Sequence, residues 1–270
     1  FEVRDTPDFT DNTMSYYDRY ITHPNLGYLF KASKLGECSE AKYGQYIFPM
    51  ENPGKWPASD YEMMQSTVPE YIDLERFHVY YMTISGHMYY SFSGNSMSSR
   101  NKDAVKHLDM SENARAYYAC HIELDKALQY LVQYFDRLDD PTIIVFFGDH
   151  QPTDSVVAPI YKLNGESVYS LTEEELRLRY KVPYIIHANY DIEEEQNVPM
   201  SSNYLGIKTL ELAGVTLNSY QQFVAENYRK YPSVSVLQIR DADGNVYSVD
   251  KKEELLNDYQ ILQYHHLFEK

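Results

Sequence analysis

Two short segments carry the residues best suited to chemistry. Gly148-Asp149-His150 places a carboxylate beside an imidazole, a pair suited to Mn²⁺, Zn²⁺ or Mg²⁺. Ser85-Gly86-His87 supplies a second histidine, which could donate to, or protonate, an oxygen of a bound anion. The structural alternatives are that Asp149 caps a turn, that His150 lies on the surface, and that His87 is a core histidine.

Both segments directly follow a predicted strand. Residues 142–147 are almost wholly apolar, which is typical of a parallel strand covered on both faces, and residues 77–84 are rich in aromatic and β-branched side chains. A periodic stretch over 111–138 predicts a helix that joins them in a right-handed crossover. Ligands of such sheets sit at the carboxyl ends of the strands. We therefore expect His87 to lie within about 15 Å of Asp149 and His150, close enough to share a ligand.

Caps and turn residues predict the remaining elements. Residues 1–60 are turn-rich, with short helices and loops. A third strand of the same sheet is predicted at 182–188, and a hairpin at 234–249. Further helices are predicted from 59 to before 77, and at 172–180, 201–213, 219–231 and 251–264. The chain is interpreted as one domain.

Composition excludes several classes of protein. Forty acidic residues against twenty-four basic ones give a net charge of −16 and a pI near 4.9, which argues against a nucleic-acid binder and a basic membrane-surface patch. No apolar run within these residues approaches the length of a transmembrane helix, and none is typical of a signal peptide. Cys38 and Cys120 lack metal-site spacing and are interpreted as plain thiols, with a disulfide as the alternative. The 28 tyrosines favour core edges and grooves over a dedicated ligand box.

The order of the motifs resembles a known family. The Ser85-Gly86-His87 segment, a helix carrying Asp125-Lys126-Ala127-Leu128, and the strand ending in Gly148-Asp149-His150 resemble the lipoteichoic acid synthase-like branch of the sulfatase and alkaline phosphatase superfamily. Ser15–Arg19 is similar to that branch's aromatic-x-Arg substrate loop, and segments at 182–190, 202–205, 212–214 and 259–268 look like its later elements.

The resemblance implies an α/β fold, with a mainly parallel sheet flanked by helices and a small carboxyl-terminal hairpin plus helix. The chain would be a partial catalytic domain, truncated at its amino terminus. Its substrate-loop region would be 1–60, its sheet core 61–215 and its carboxyl-terminal segment 216–270.

The same resemblance implies roles for five residues. Asp149 and His150 would be ligands of one divalent ion, by similarity Mn²⁺, with Mg²⁺ or Zn²⁺ as alternatives. His87 would be catalytic and would contact the phosphoryl group or the leaving oxygen. Arg19 would hold the phosphate, which suits its planar fork of donors, and Tyr17 would replace a family aromatic that is often Trp. Without the resemblance, Arg19 is better interpreted as a surface salt-bridge partner.

Other family features are not found in the sequence. Nothing before Ser15 is typical of an apolar strand ending in an acid, and Thr6, Thr10 and Thr13 lie in polar sequence, so the family's remaining metal ligand and Thr nucleophile are missing. Residues 38–42 lack the Pro and Arg of a formylglycine-type sulfatase box. We expect a fragment of the catalytic domain that is inactive by itself.

The implied function is a metal-dependent phosphoglycerol transferase or related phosphoester-processing enzyme. Its substrate would be a lipid or polymer bearing phosphoglycerol or phosphate, with no nucleic-acid partner. The parent protein would be anchored through an upstream membrane region, facing the outside of a bacterial cytoplasmic membrane. The alternatives are a sulfatase or phosphodiesterase acting on a soluble substrate, and a non-catalytic module that binds glycans or lipid headgroups on its tyrosines.

Overall fold

The computed structural model describes residues 21–22, 56–73, 77–81, 83–235 and 237–268. The chain divides into two compact units. The amino-terminal unit comprises Phe1–Arg137 and Phe146–Pro183, and the carboxyl-terminal unit comprises Leu138–Val145 and Tyr184–Lys270. The subdivision into 1–60, 61–215 and 216–270 stays a prediction.

Helices dominate the described part of the amino-terminal unit. They are α1 (Asp60–Tyr71), α2 (Ser96–Arg100), α3 (Glu112–Phe135), α4 (Asp154–Leu163) and α5 (Glu173–Leu178), with a 3₁₀ turn at Lys102–Val105. The short strands β1 (Ile21–Thr22) and β2 (Tyr80–Tyr81) also lie there, and β3 (Ile143–Phe147) ends in it.

Helix α3 is the central support of this unit, and α1, α2 and α4 all pack against it. Ser111 caps it by accepting a hydrogen bond from the amide of Ala114, and Ala116, Ala119 and Ala127 are fully buried along it. Small side chains on one face let the neighbouring helices approach closely. The predicted long helix is thus confirmed, ending at Phe135 instead of 138.

Among the described residues, the predicted three-stranded sheet is confirmed for the strands at 142–147 and 182–188, which pair, and is corrected for the strand at 77–84. Strand β2 pairs in parallel with β1, joining Tyr80 to Ile21 and Tyr81 to Thr22, while β3 pairs with β4 (Tyr184–Ala188). Within the described residues, the strand expected over 77–84 comprises only Tyr80–Tyr81, and at the end of that segment the amides of Ile84 and Ser85 are bound by a carboxylate. The α/β class itself is confirmed.

Strand β3 is less covered than its sequence indicates. Its first four residues are half-buried, and Phe147 is 45% exposed. The expectation that both faces are covered is therefore wrong at the carboxyl end of the strand, where Gly148 follows.

The carboxyl-terminal unit consists of paired helices and a small antiparallel sheet. Its elements are β4, α6 (Ser202–Leu212), α7 (Ser219–Lys230), β5 (Ser233–Val234), β6 (Gln238–Arg240), β7 (Val246–Ser248) and α8 (Lys252–Phe268). Tyr204, Ile207, Val224 and Ala225 form a core between α6 and α7. The predicted helices, hairpin and terminal helix are all present within a few residues of their expected bounds.

Two further expectations can be compared with the described residues. Cys120 is a buried free thiol, as interpreted from its spacing, while Cys38 lies outside the described residues. Among the helices that the structure describes, none is both long enough and apolar enough to cross a bilayer.

Candidate active site

A buried carboxylate fixes the backbone that leads to His87. Asp60 is the first residue of α1 and is fully buried. Its Oδ1 accepts a hydrogen bond from the Ile84 amide at 2.8 Å, and its Oδ2 accepts one from the Ser85 amide at 2.9 Å. The Asp60 amide in turn donates to Ser85 Oγ at 3.0 Å. Burial raises the pKa of Asp60 to about 6, against the lowering effect of these hydrogen bonds.

A buried asparagine holds the other side of the same loop. Asn95 Nδ2 donates to the His87 carbonyl at 3.0 Å and to the Ser85 carbonyl at 3.4 Å. Its Oδ1 accepts from the amides of Met97 and Ser98 and so caps α2. Because Asn95 is fully buried and uses both ends of its amide, it ties the His87 loop to the start of a helix.

The imidazole of His87 lies at the surface beside the chain's single tryptophan. The His87 and Trp56 rings meet edge to face, with centroids 6.0 Å apart. Trp56 Nε1 donates to the Met88 carbonyl at 2.8 Å, and His87 Nδ1 lies 3.2 Å from the same oxygen. His87 is therefore exposed, yet its Nδ1 edge is engaged by backbone.

A second histidine lies directly beneath the loop. A Cβ placed on Gly86 would approach His121 Nε2 to 3.1 Å, so only glycine fits there without displacing that ring. His121 Nδ1 lies 2.8 Å from the Tyr117 carbonyl, and burial lowers the pKa of His121. We conclude that His121 is a neutral supporting residue, which sequence reasoning did not single out.

The Gly148-Asp149-His150 segment forms an exposed turn. The Gly148 amide donates to the Pro183 carbonyl at 3.0 Å, and a Cβ on Gly148 would meet Val182 Cβ at 3.2 Å. Asp149 Oδ1 accepts from the His150 amide at 2.8 Å. The side chains of Asp149 and His150 are 84% and 73% exposed, so the surface position considered for His150 from sequence is seen.

The same two side chains fit a shared metal ion as a pair. His150 Nε2 lies 3.5 Å from Asp149 Oδ2, and two donors bound to one ion at about 2.0–2.2 Å lie roughly 3–3.5 Å apart. Within the residues that the structure describes, no group of three or more His, Cys, Asp or Glu side chains could hold a metal. The pair alone leaves a coordination shell incomplete.

The electrostatic environment of Tyr90 links the segment that contains His87 to the segment that contains Asp149. Burial raises its pKa to about 12, and the charges of Cys120, Tyr117 and Asp149 act in the same direction. Asp149 therefore lies within electrostatic range of a residue three positions after His87, and all of them belong to the amino-terminal unit. Arg19 and Tyr17, the other predicted site residues, lie outside the described residues.

Comparison with known proteins identifies the family. A sequence model of the sulfatase family matches residues 6–215. The chain belongs to the sulfatase family. This confirms the superfamily that the order of motifs indicated, on a match that includes His87, Asp149 and His150.

A solved structure gives this sulfatase-family chain a structural counterpart. Streptococcus pyogenes phosphoglycerol transferase GacH, determined in complex with sn-glycerol-1-phosphate, matches with a TM-score of 0.57 and 18% sequence identity. The match covers 83% of this chain and 52% of GacH, so the chain spans about half the length of that structure. Comparison with curated proteins gave no match. The fold is thus shared with a phosphoglycerol transferase.

Proposed function

We propose that this sulfatase-family chain is part of a metal-dependent phosphoglycerol transferase acting on cell-envelope polymers or lipid headgroups. The observation that carries the proposal is that both chemistry-bearing loops, one with His87 and one with Asp149 and His150, lie in one compact unit. The fold shared with GacH, whose structure contains sn-glycerol-1-phosphate, supports a phosphoglycerol-type substrate.

Asp149 and His150 would hold a divalent ion, by similarity Mn²⁺, because they offer a carboxylate oxygen and an imidazole nitrogen at a suitable spacing. Members of the family generally depend on a divalent metal. Such an ion, when bound, supplies positive charge against the phosphoryl oxygens. Tyr90 lies within electrostatic range of Asp149, and burial raises its pKa to about 12, so its hydroxyl stays protonated.

The protein's other groups would bind and orient the phosphoester. Arg19 would donate its paired N–H groups to phosphate oxygens, and Tyr17 would stack beside it. His87 would protonate the leaving oxygen or donate to it, because its ring is exposed at the end of a tightly held loop.

The proposal has two further parts, which concern the nucleophile and the membrane anchor. The nucleophile, a threonine in the family, would be supplied by sequence upstream of these residues, so the 270 residues alone would bind substrate without turning it over. The parent protein would be membrane-anchored, with this domain on the outer face of a bacterial cytoplasmic membrane.

An activity assay tests the proposal directly. The chain and an upstream-extended version are incubated with Mn²⁺ and a fluorescent phosphatidylglycerol analogue or p-nitrophenyl phosphate. We expect turnover only in the extended chain, lost on His150→Ala and Asp149→Ala and retained on His107→Ala, an exposed histidine of the same unit.

Other outcomes would change the assignment. Turnover by the short chain that His150→Ala abolishes would place a nucleophile within these residues and contradict the fragment interpretation. Release of sulfate from p-nitrophenyl sulfate, without activity on either phosphoester, would favour a sulfatase. Headgroup or glycan binding with no turnover in the extended chain would favour a non-catalytic module.

A further inference from the structure

The carbonyl oxygen of Met88 accepts two side-chain hydrogen bonds. Trp56 Nε1 lies 2.8 Å from it and His87 Nδ1 lies 3.2 Å from it. A backbone carbonyl has two lone pairs and no hydrogen to give. Both nitrogens must therefore be donors, so neutral His87 carries its proton on Nδ1 and leaves a lone pair on Nε2.

The Met88 carbonyl can select this tautomer only if it is held in place. Three side chains from different positions immobilise the loop: Asp60 binds its amides at Ile84 and Ser85, Asn95 binds the His87 carbonyl, and Trp56 binds the Met88 carbonyl. Trp56 is also the ring that packs edge to face on His87. It touches both the acceptor and the imidazole.

We propose that Trp56 is a positioning residue for His87, one that fixes the Nδ1–H tautomer and directs Nε2 to the ligand. This deepens the proposed function and rests on it for the role of His87. In the imidazolium form, the Nε2 proton passes to the leaving oxygen as its bond to phosphorus breaks, while Nδ1–H stays on the Met88 carbonyl. The freed Nε2 lone pair can then take the proton of an attacking hydroxyl.

The tautomer is measured in the 270-residue chain by ¹⁵N NMR of labelled histidines. Trp56→Phe removes the indole N–H and keeps an aromatic ring. Because Trp56 is the only tryptophan, growth of a tryptophan auxotroph on benzothienylalanine provides a second variant, in which sulfur replaces the N–H with little change in shape. Asn95→Asp leaves an oxygen to cap α2 but removes the donors to the His87 and Ser85 carbonyls.

Matched controls separate positioning from general damage. Asn218→Asp makes the same change at the cap of α7 in the other unit. Tyr61→Phe removes a hydroxyl that accepts a hydrogen bond from Gln65 on its own helix. Neither residue touches the loop, so both variants should leave the His87 signals unchanged.

We expect His87 to be mainly the Nδ1–H tautomer in the wild type and mainly Nε2–H in the benzothienyl variant, with Trp56→Phe and Asn95→Asp moving in the same direction. A wild-type His87 that is mainly Nε2–H would overturn the inference. So would a folded benzothienyl variant with the wild-type tautomer ratio.

A kinetic comparison in the upstream-extended chain separates the inference from the proposed function. For Trp56→Phe we expect kcat to fall by about tenfold, with KM changed less than about threefold, because proton transfer needs the correct nitrogen while phosphate binding does not. An extended chain whose activity does not depend on His87 would refute the proposed role of His87 and leave the tautomer result standing. Activity that depends on His87 but is insensitive to loss of the indole N–H would refute the positioning role alone.

Discussion

Ionisation of the buried Asp60 side chain lowers the free energy of unfolding. Burial raises its pKa from 3.8 to about 6, so the folded chain holds this proton more tightly than the unfolded chain does. The stabilising contribution is full below about pH 4 and is lost as the pH rises through about 6. The shift corresponds to about 3 kcal/mol.

We therefore predict that Asp60→Asn changes how stability depends on pH. Since Asn does not titrate, the wild type should gain about 2 kcal/mol relative to the variant between pH 7 and pH 4, and the remainder below pH 4. Urea unfolding of the amino-terminal unit, followed by Trp56 fluorescence, measures the difference at each pH. Asp73→Asn, at an exposed position just after α1, is the matched control. A constant difference for Asp60→Asn would contradict the raised pKa.

Gly86 packs closely against His121 beneath the His87 loop. Gly86→Ala brings a methyl group to 3.1 Å from His121 Nε2, and overpacking of this kind costs about 1–3 kcal/mol. The matched control is Gly206→Ala in α6, where an added Cβ meets nothing within 4 Å. This substitution should stabilise the helix by about 0.5–1 kcal/mol. Thermal unfolding of both variants measures the contrast. Equal effects would indicate that His121 can move aside.

At the scale of single residues, the sequence indicated the candidate site residues but not the side chains that hold the His87 loop in place. Asp149, His150 and His87 were chosen by residue type and by their position after strands. Asp60, Asn95 and Trp56 escaped notice because their partners lie 8 to 32 positions away in sequence. The Asn95-Ser96 pair did carry a helix-cap signal, whereas no local pattern marks Asp60 as a ligand of backbone amides.

One buried acid links α3 to the start of α1 and to the end of α2 through hydrogen bonds. Glu123 of α3 has a side chain only 1% exposed and accepts hydrogen bonds from Ser59, Arg100 and Asn101. Ser59 directly precedes α1, Arg100 is the last residue of α2, and Asn101 follows α2. Hydrogen bonds and nearby cations lower the pKa of Glu123 although burial opposes them, so it is ionised at neutral pH.

We predict that Glu123→Gln destabilises the chain by about 1–3 kcal/mol, because a neutral amide replaces the buried carboxylate that accepts hydrogen bonds from Ser59, Arg100 and Asn101. Glu62 pairs with the same Arg100 at 3.0 Å and is more exposed, so Glu62→Gln should cost less than about 1 kcal/mol. Chemical denaturation of both variants gives the comparison. A loss for Glu62→Gln as large as that for Glu123→Gln would contradict the central role of Glu123.

Cap and stop residues in the sequence predicted most of the helices, but they could not predict features that depend on tertiary contacts. The caps at Ser59 and Ser111 and the stops at Gly214 and Pro232 gave helices close to their observed bounds. Helix α4 was not predicted, since it contains Pro159 and follows a turn. Strand pairing was derived only in part: β3 and β4 share a sheet as expected for 142–147 and 182–188. The partner of β2 could not be derived, because β1 lies far away in a turn-rich part of the sequence.

At the scale of the whole molecule, charge affects how metal binding must be measured. A net charge of −16 gathers divalent cations non-specifically at low salt, within a Debye length of about 20 Å at 20 mM that falls to about 7 Å at 200 mM. A true site on Asp149 and His150 should persist at the higher salt.

We predict weak Mn²⁺ binding to the 270-residue chain, with a dissociation constant above about 1 μM, because two donors leave most of a hard cation's shell to water. Calorimetric titration at both salt concentrations should resolve one salt-resistant component, lost on Asp149→Asn and kept on Asp154→Asn, which removes an exposed carboxylate elsewhere in the same unit. Sub-micromolar affinity would contradict the prediction and direct the search for further ligands to residues 1–55.

The buried thiol of Cys120 allows the rate at which α3 opens to be measured. Its thiol is fully buried, donates to the Tyr117 carbonyl, and has a pKa raised to about 12 by burial, so the reactive thiolate is scarce while the helix is closed. On a Cys38→Ser background, an alkylating reagent would modify the chain only during openings of this region. The labelling rate, read by mass spectrometry, would report how often α3 detaches under native conditions and whether a phosphate ligand slows it.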